Sequence, residues 1–171
     1  AQVVGMGADV AEAFPVAAAV FDKANAIVGF DLKKICFEGP AETLNTTTMS
    51  QPAIFTVSAA LLEVARAEAP ETVAAEITAG LSLGEYTALY AAGILSFEDG
   101  LKLVQKRGQA MQAAADATDG AMVSLIGLDE EKARQLCQAA GESDLLELVN
   151  FNCPGQIVAS GDVAACDRLE Q

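Results

Sequence analysis

Histidine is absent from all 171 residues, which excludes a Ser-His pair, a Cys-His pair and any histidine metal site within them. Tryptophan is absent too and aromatics make up 5% of the chain, so its core must be built from aliphatic and small side chains. Cations are scarce: 10 Lys and Arg stand against 24 Asp and Glu, for a formal net charge of −14. Such a field opposes nonspecific nucleic-acid binding and repels anionic ligands unless cations are gathered locally. Lys102, Lys106 and Arg107 are the densest such group. No apolar run approaches the roughly 20 residues needed to span a bilayer. The sequence, which opens on Ala1-Gln2-Val3-Val4-Gly5, contains no basic leader followed by an apolar stretch and cleavage site. The four cysteines, Cys36, Cys137, Cys153 and Cys166, form no CxxC pair; they read as reduced thiols, not a disulfide framework or zinc site.

What is present is alanine-rich, with 52% apolar residues, enough for one domain or a domain with a small subdomain. Short helical patterns fill the first third, with Pro15 suited to a first helical turn. Asn45-Thr46-Thr47-Thr48 reads as a loop, and a helix follows from Pro52 with Ile54, Val57, Leu61 and Val64 on its apolar side. Residues 74–79 are expected as a buried strand, 80–84 as a turn, and 85–92 as a helix stopped by Gly93.

Ser96 caps the best-defined helix, whose apolar stripe runs through Leu101, Val104, Gly108, Met111 and Ala115. At about 100° per residue Arg107 lies roughly 80° from the centre of that stripe, at the border of core and solvent. Beyond Asp119-Gly120 the order becomes strand 121–128, helix 129–140, strands 145–151 and 156–160, and a helix from Asp162. That β-α-β-β-α order predicts a ferredoxin-like split βαβ unit without its last strand.

Gly80-Leu81-Ser82-Leu83-Gly84 matches G-x-S-x-G, the nucleophile elbow, between an expected strand and helix. A sharp turn there exposes the serine hydroxyl, and the helix start offers free N–H groups to a developing oxyanion. The five residues alone also fit a glycine-flanked turn with an ordinary serine; the strand–turn–helix context favours the nucleophile.

The longer run Gly80-Leu81-Ser82-Leu83-Gly84-Glu85-Tyr86 resembles the G-H-S-L-G-E-Y signature of malonyl-CoA:acyl-carrier-protein transacylases. Ser50-Gln51-Pro52-Ala53, Leu95 to Leu101, Arg107 to Gln112 and Asn150 to Gln156 fit the family in order, and Ala1 to Gly7 looks like the tail of its opening motif. The resemblance implies an α/β fold: an α/β-hydrolase-like core with a parallel sheet and elbow over 1–118, and a ferredoxin-like subdomain over 119–171, both incomplete. It implies Ser82 as acyl-accepting nucleophile, the Leu83 N–H as oxyanion donor, and Arg107 as partner of the malonyl carboxylate. Gln51 and Asn152 would contact the pantetheine arm or oxyanion region, or serve structure alone. No metal and no permanently bound cofactor are implied. Malonyl-CoA is the substrate and acyl carrier protein the partner, with no nucleic acid or membrane. The implied enzyme is a monomer of the cytoplasm, or of an organelle matrix if a leader has been removed.

Three departures shape the expectation. The family's opening glutamine, its second oxyanion donor, and the first strand would lie before Ala1. Its activating histidine would lie beyond Gln171. Leu81 stands where many members have His. The complete protein is therefore expected to be active and this chain by itself poorly active. Three other readings compete: a polyketide-synthase acyltransferase domain, an α/β-hydrolase esterase, and a non-catalytic module that binds carrier protein or CoA.

Overall fold

A computed structural model describes residues 2–171, in two compact units, Ala1–Gln112 and Ala113–Gln171. Among the described residues of the first unit, all regular secondary structure is helical. Its opening helices are α1 (Ala8–Ala13), α2 (Pro15–Val28), α3 (Leu32–Glu38), α4 (Ala41–Leu44) and α5 (Thr47–Glu68). Pro15 starts α2, where its missing N–H leaves nothing unpaired, and Gly29 ends it at φ 81°. Asp31 caps α3 by accepting the Lys34 backbone N–H at 3.0 Å.

The core of this unit joins Ala17, Phe21 and Ala24 of α2 to Ala53, Phe55, Ala59 and Ala60 of α5. Small side chains let the two helices close on the fully buried rings of Phe21 and Phe55, each worth about 1.5–3 kcal/mol of burial. The buried side of α5 therefore differs from the expected Ile54–Val57–Leu61–Val64 stripe, and Leu61 is exposed. The helix also starts earlier than expected, so Thr47 and Thr48 are its first turn and Pro52 lies within it.

After a 3-10 turn at Pro70–Thr72 come α6 (Gly84–Ala91) and α7 (Phe97–Ala117). Ser96 caps α7 as expected, its Oγ accepting the Asp99 N–H at 3.0 Å. Phe97 on α7, Tyr90 on α6 and Phe55 on α5 form one aromatic cluster with centroids 5.9–6.1 Å apart. Gly100 permits it, because a Cβ there would stand 2.6 Å from the Phe55 ring.

The expected buried strand over 74–79 is not formed: the run is irregular, and apart from half-buried Thr78 its residues are exposed. A strand exists through its ladder, and no described segment of the first unit is β, so its backbone has no partner strand. The expected parallel sheet is accordingly absent among the described residues, where the sheet that forms is antiparallel.

That sheet belongs to the second unit. Strand β1 (Gly120–Ile126), helix α8 (Glu130–Gly141), strands β2 (Leu146–Cys153) and β3 (Gln156–Asp162), and helix α9 (Val163–Leu169) follow in the expected order. The strands lie β1-β3-β2, with Val123 opposite Ala159 and Leu148 opposite Ala159 on the other side. Val123, Leu125 and Ile157 pack with Ala133 of α8 and Cys166 of α9. Asp129 caps α8 by accepting the Lys132 N–H at 2.8 Å.

Candidate active site

Ser82 sits on the turn that feeds α6, exposed, with φ 54°. A non-glycine residue in that left-handed region costs about 1 kcal/mol or more, so the surrounding turn must enforce it. Gly80 shows how. A Cβ built there would lie 2.1 Å from the Gly84 carbonyl carbon and 2.6 Å from the Glu85 nitrogen. The chain folds back on itself so closely that only glycine fits. Gly84 is different: a Cβ there meets nothing within 4 Å.

Carbonyls of Leu81, Ser82 and Leu83 accept the N–H groups of Gly84, Glu85 and Tyr86. The Leu83 N–H has no acceptor among the described residues, and it opens the first turn of α6 beside Ser82. An apolar groove of about 690 Å³ runs from Ser82 past Leu81, Ile77 and Ile54.

On the other side of Ser82 stands Arg107 of α7. Its Nη2 donates to Ser82 Oγ at 2.9 Å and its Nη1 to Gln51 Oε1 at 2.5 Å. The guanidinium also lies 6.0 Å from the Tyr86 ring centroid, within cation–π reach. Gln51 is almost fully buried, and its Nε2 donates to Met111 Sδ at 3.3 Å. Arg107 is half-buried, at the border that its helical angle predicts.

Gly108 is what lets α7 approach α5 here, since a Cβ would stand 2.9 Å from the Thr47 carbonyl oxygen. The structure thus brings together Ser82, Leu83, Arg107 and Gln51. Asn152 is on β2 of the second unit and is exposed.

Two participants have no site role in the sequence reading. Tyr86 lay inside the recognised signature without a role. Met111, on the apolar stripe of α7, is 46% exposed. Its place one turn after Arg107 on the same helix was the available signal.

The whole chain, residues 1–171, matches one family, the acyl transferase domain. The chain belongs to that family. It is 44% identical over 167 residues to the malonyl CoA-acyl carrier protein transacylase of Haemophilus influenzae, covering 98% of this chain and 53% of the relative. Among solved structures it resembles the acyl carrier protein S-malonyltransferase of Vibrio cholerae, at 41% identity and a TM-score of 0.91 over 98% of this chain and 54% of the other. It also resembles a malonyl-transacylase in complex with a type II polyketide-synthase acyl-carrier protein, at 40% identity, TM-score 0.91 and the same two coverages, 98% and 54%.

The chain spans about half the length of the curated relatives it matches. These likenesses establish the α/β acyltransferase fold. Among the described residues no helix is long and apolar enough to cross a membrane, and no cluster of His, Cys, Asp or Glu could hold a metal ion.

Proposed function

We propose that the complete protein transfers malonyl from malonyl-CoA to the phosphopantetheine thiol of acyl carrier protein in fatty acid synthesis, through an ester on Ser82. One observation carries this reading: a half-buried guanidinium touching the candidate nucleophile, held by Gln51 and Tyr86 and with no carboxylate partner among the described residues. A malonyl carboxylate would complete it bidentately, a geometry that lysine does not reproduce.

Ser82 Oγ attacks the thioester carbonyl carbon, the oxyanion draws on the Leu83 N–H, and the carbon–sulfur bond to CoA breaks. The carrier thiol then attacks the ester and releases Ser82. The serine proton needs a base, and the chain contains no histidine to take it. Gln51 serves the acyl pocket through Arg107. The family resemblance leaves Asn152 to the pantetheine arm or the oxyanion region, or to structure alone.

The φ 54° turn at Ser82 is read as a nucleophile elbow. Residues 1–118 are the large subdomain and 119–171 a ferredoxin-like small subdomain. In the complete protein 74–79 becomes a strand of a parallel sheet once other strands supply its ladder. The reading makes that protein a cytoplasmic monomer with no permanent cofactor.

Intact-mass analysis after incubation with malonyl-CoA tests the reading. The complete protein is expected to gain one malonyl group, lost in Ser82→Ala, while this chain alone acylates slowly or not at all. Rapid stoichiometric acylation of this chain would refute the need for a further base, and an acylated S82A protein would refute Ser82 as nucleophile.

A further inference from the structure

We propose that Met111 is a positioning residue for the acyl carboxylate, acting through the Gln51 amide on Arg107. This rests on the reading of Arg107 given above. Gln51 has two ends and both are used: Oε1 accepts from Arg107 Nη1 at 2.5 Å and Nε2 donates to Met111 Sδ at 3.3 Å. Only one amide orientation satisfies both neighbours. Turned over, the NH2 group would face the guanidinium, donor against donor, and the oxygen would face a sulfur that has no proton to give.

Water does not substitute freely for the sulfur at the amide nitrogen, because Gln51 is 6% exposed. A thioether is a weak acceptor, yet a buried N–H left with no acceptor is costly. Met111 therefore holds the amide in the orientation that aims Arg107 at Ser82.

Helix geometry makes the relay possible. Arg107 and Met111 are one turn apart on one side of α7. Gly108 between them brings that side against the first turn of α5, where Gln51 follows one turn later. The sulfur is thus a neighbour of the acyl pocket that never has to touch the acyl group. Its effect should appear in discrimination between acyl groups with and without a carboxylate, which a purely structural methionine would leave alone.

The test compares malonyl-CoA with acetyl-CoA in the complete protein, as kcat/KM for acylation, for wild type, Met111→Leu and Met111→Gln. Leucine keeps the volume and removes the acceptor; glutamine restores an acceptor oxygen. In M111L the malonyl-to-acetyl preference should fall about five- to tenfold, chiefly through a higher KM for malonyl-CoA. M111Q should recover most of it. Should M111L fail to fold, M111Q decides: retained preference supports the relay, and lost preference in a folded M111Q protein overturns it. Undiminished preference in folded M111L also overturns it. A wild-type protein without any preference for malonyl-CoA would instead overturn the reading of Arg107 itself, and the relay with it.

Discussion

The guanidinium of Arg107 donates to Ser82 Oγ at 2.9 Å across 25 residues of sequence, so cation and candidate nucleophile share one point in space. Its second arm reaches Gln51, and its face lies by Tyr86. Arg107→Lys keeps the charge but cannot hold two such contacts with one compact ammonium. In the complete protein it should lower kcat/KM for malonyl-CoA roughly 30- to 100-fold, mostly through KM, because a bidentate charge-assisted contact is replaced by a single point charge. Steady-state kinetics check this. A lysine variant within about twofold of wild type would remove the bidentate role.

The two glycines flanking Ser82 should respond oppositely to alanine. At Gly80 the new methyl would collide with backbone 2.1 Å away, which has no rotamer to yield. Gly80→Ala should cost about 1–3 kcal/mol and disturb the turn that holds Ser82. At Gly84 the methyl meets open space at the start of α6, so Gly84→Ala should be neutral or stabilising by up to about 1 kcal/mol. Urea unfolding of both variants separates the cases. Equal destabilisation would mean that the motif's spacing, not the local crowding, matters.

Local chemistry was legible in the sequence and long-range pairing was not. The Ser96 and Asp129 caps, Pro15 at a helix start and the order of the second unit each depend on residues within a few positions, and each stands where the pattern put it. Arg107 at the border of core and solvent followed from helical angle alone. The run 74–79 did not form a strand, because composition signals apolarity while a strand needs a partner to pair with. The link between Gln51 and Arg107 spans 56 residues and depends on Gly108 admitting α7 to the α5 backbone. No period within either helix encodes that. The role of Met111 is hidden for a related reason, since an apolar residue on an apolar stripe reads as core while its sulfur lies beside the Gln51 amide.

Cysteine chemistry should divide sharply by burial. Cys36 is fully buried and burial pushes its thiol up to about 12. Burial also raises the Cys137 thiol, and Cys166 is enclosed as well. Cys153 is exposed at the end of β2. Since the thiolate is the reactive form, iodoacetamide at about pH 8 should label Cys153 first in the folded chain, with the other three following only on unfolding. Peptide mapping of the labelled protein checks this. Early labelling of Cys36 would show that the first unit opens readily.

The far end of α6 offers a pH-dependent test of what steadies the Ser82 turn. Glu63 on α5 accepts from Tyr90 Oη at 2.7 Å and from Arg66 Nη1 at 2.8 Å, while Arg66 Nη2 donates to the Ala91 carbonyl at 2.8 Å. Desolvation first, and the Glu63 hydrogen bond and charge next, raise the Tyr90 hydroxyl above its ordinary 10.0. The folded state therefore keeps this proton when the unfolded chain has begun to lose it. A group whose value is raised on folding contributes stability below its unfolded value and loses that contribution as pH rises toward the folded one. Tyr90→Phe should thus cost about 1 kcal/mol near pH 8, a figure reduced for the partial exposure of the pair. The gap to wild type should shrink at about pH 11 and above, where the unfolded tyrosine is ionised. Urea unfolding of both proteins at the two pH values measures that gap. A gap constant with pH would show that the hydroxyl does not bind Glu63 in solution, and α6 would then be held by its aromatic packing and by the Arg66 and Thr78 contacts to its carbonyls.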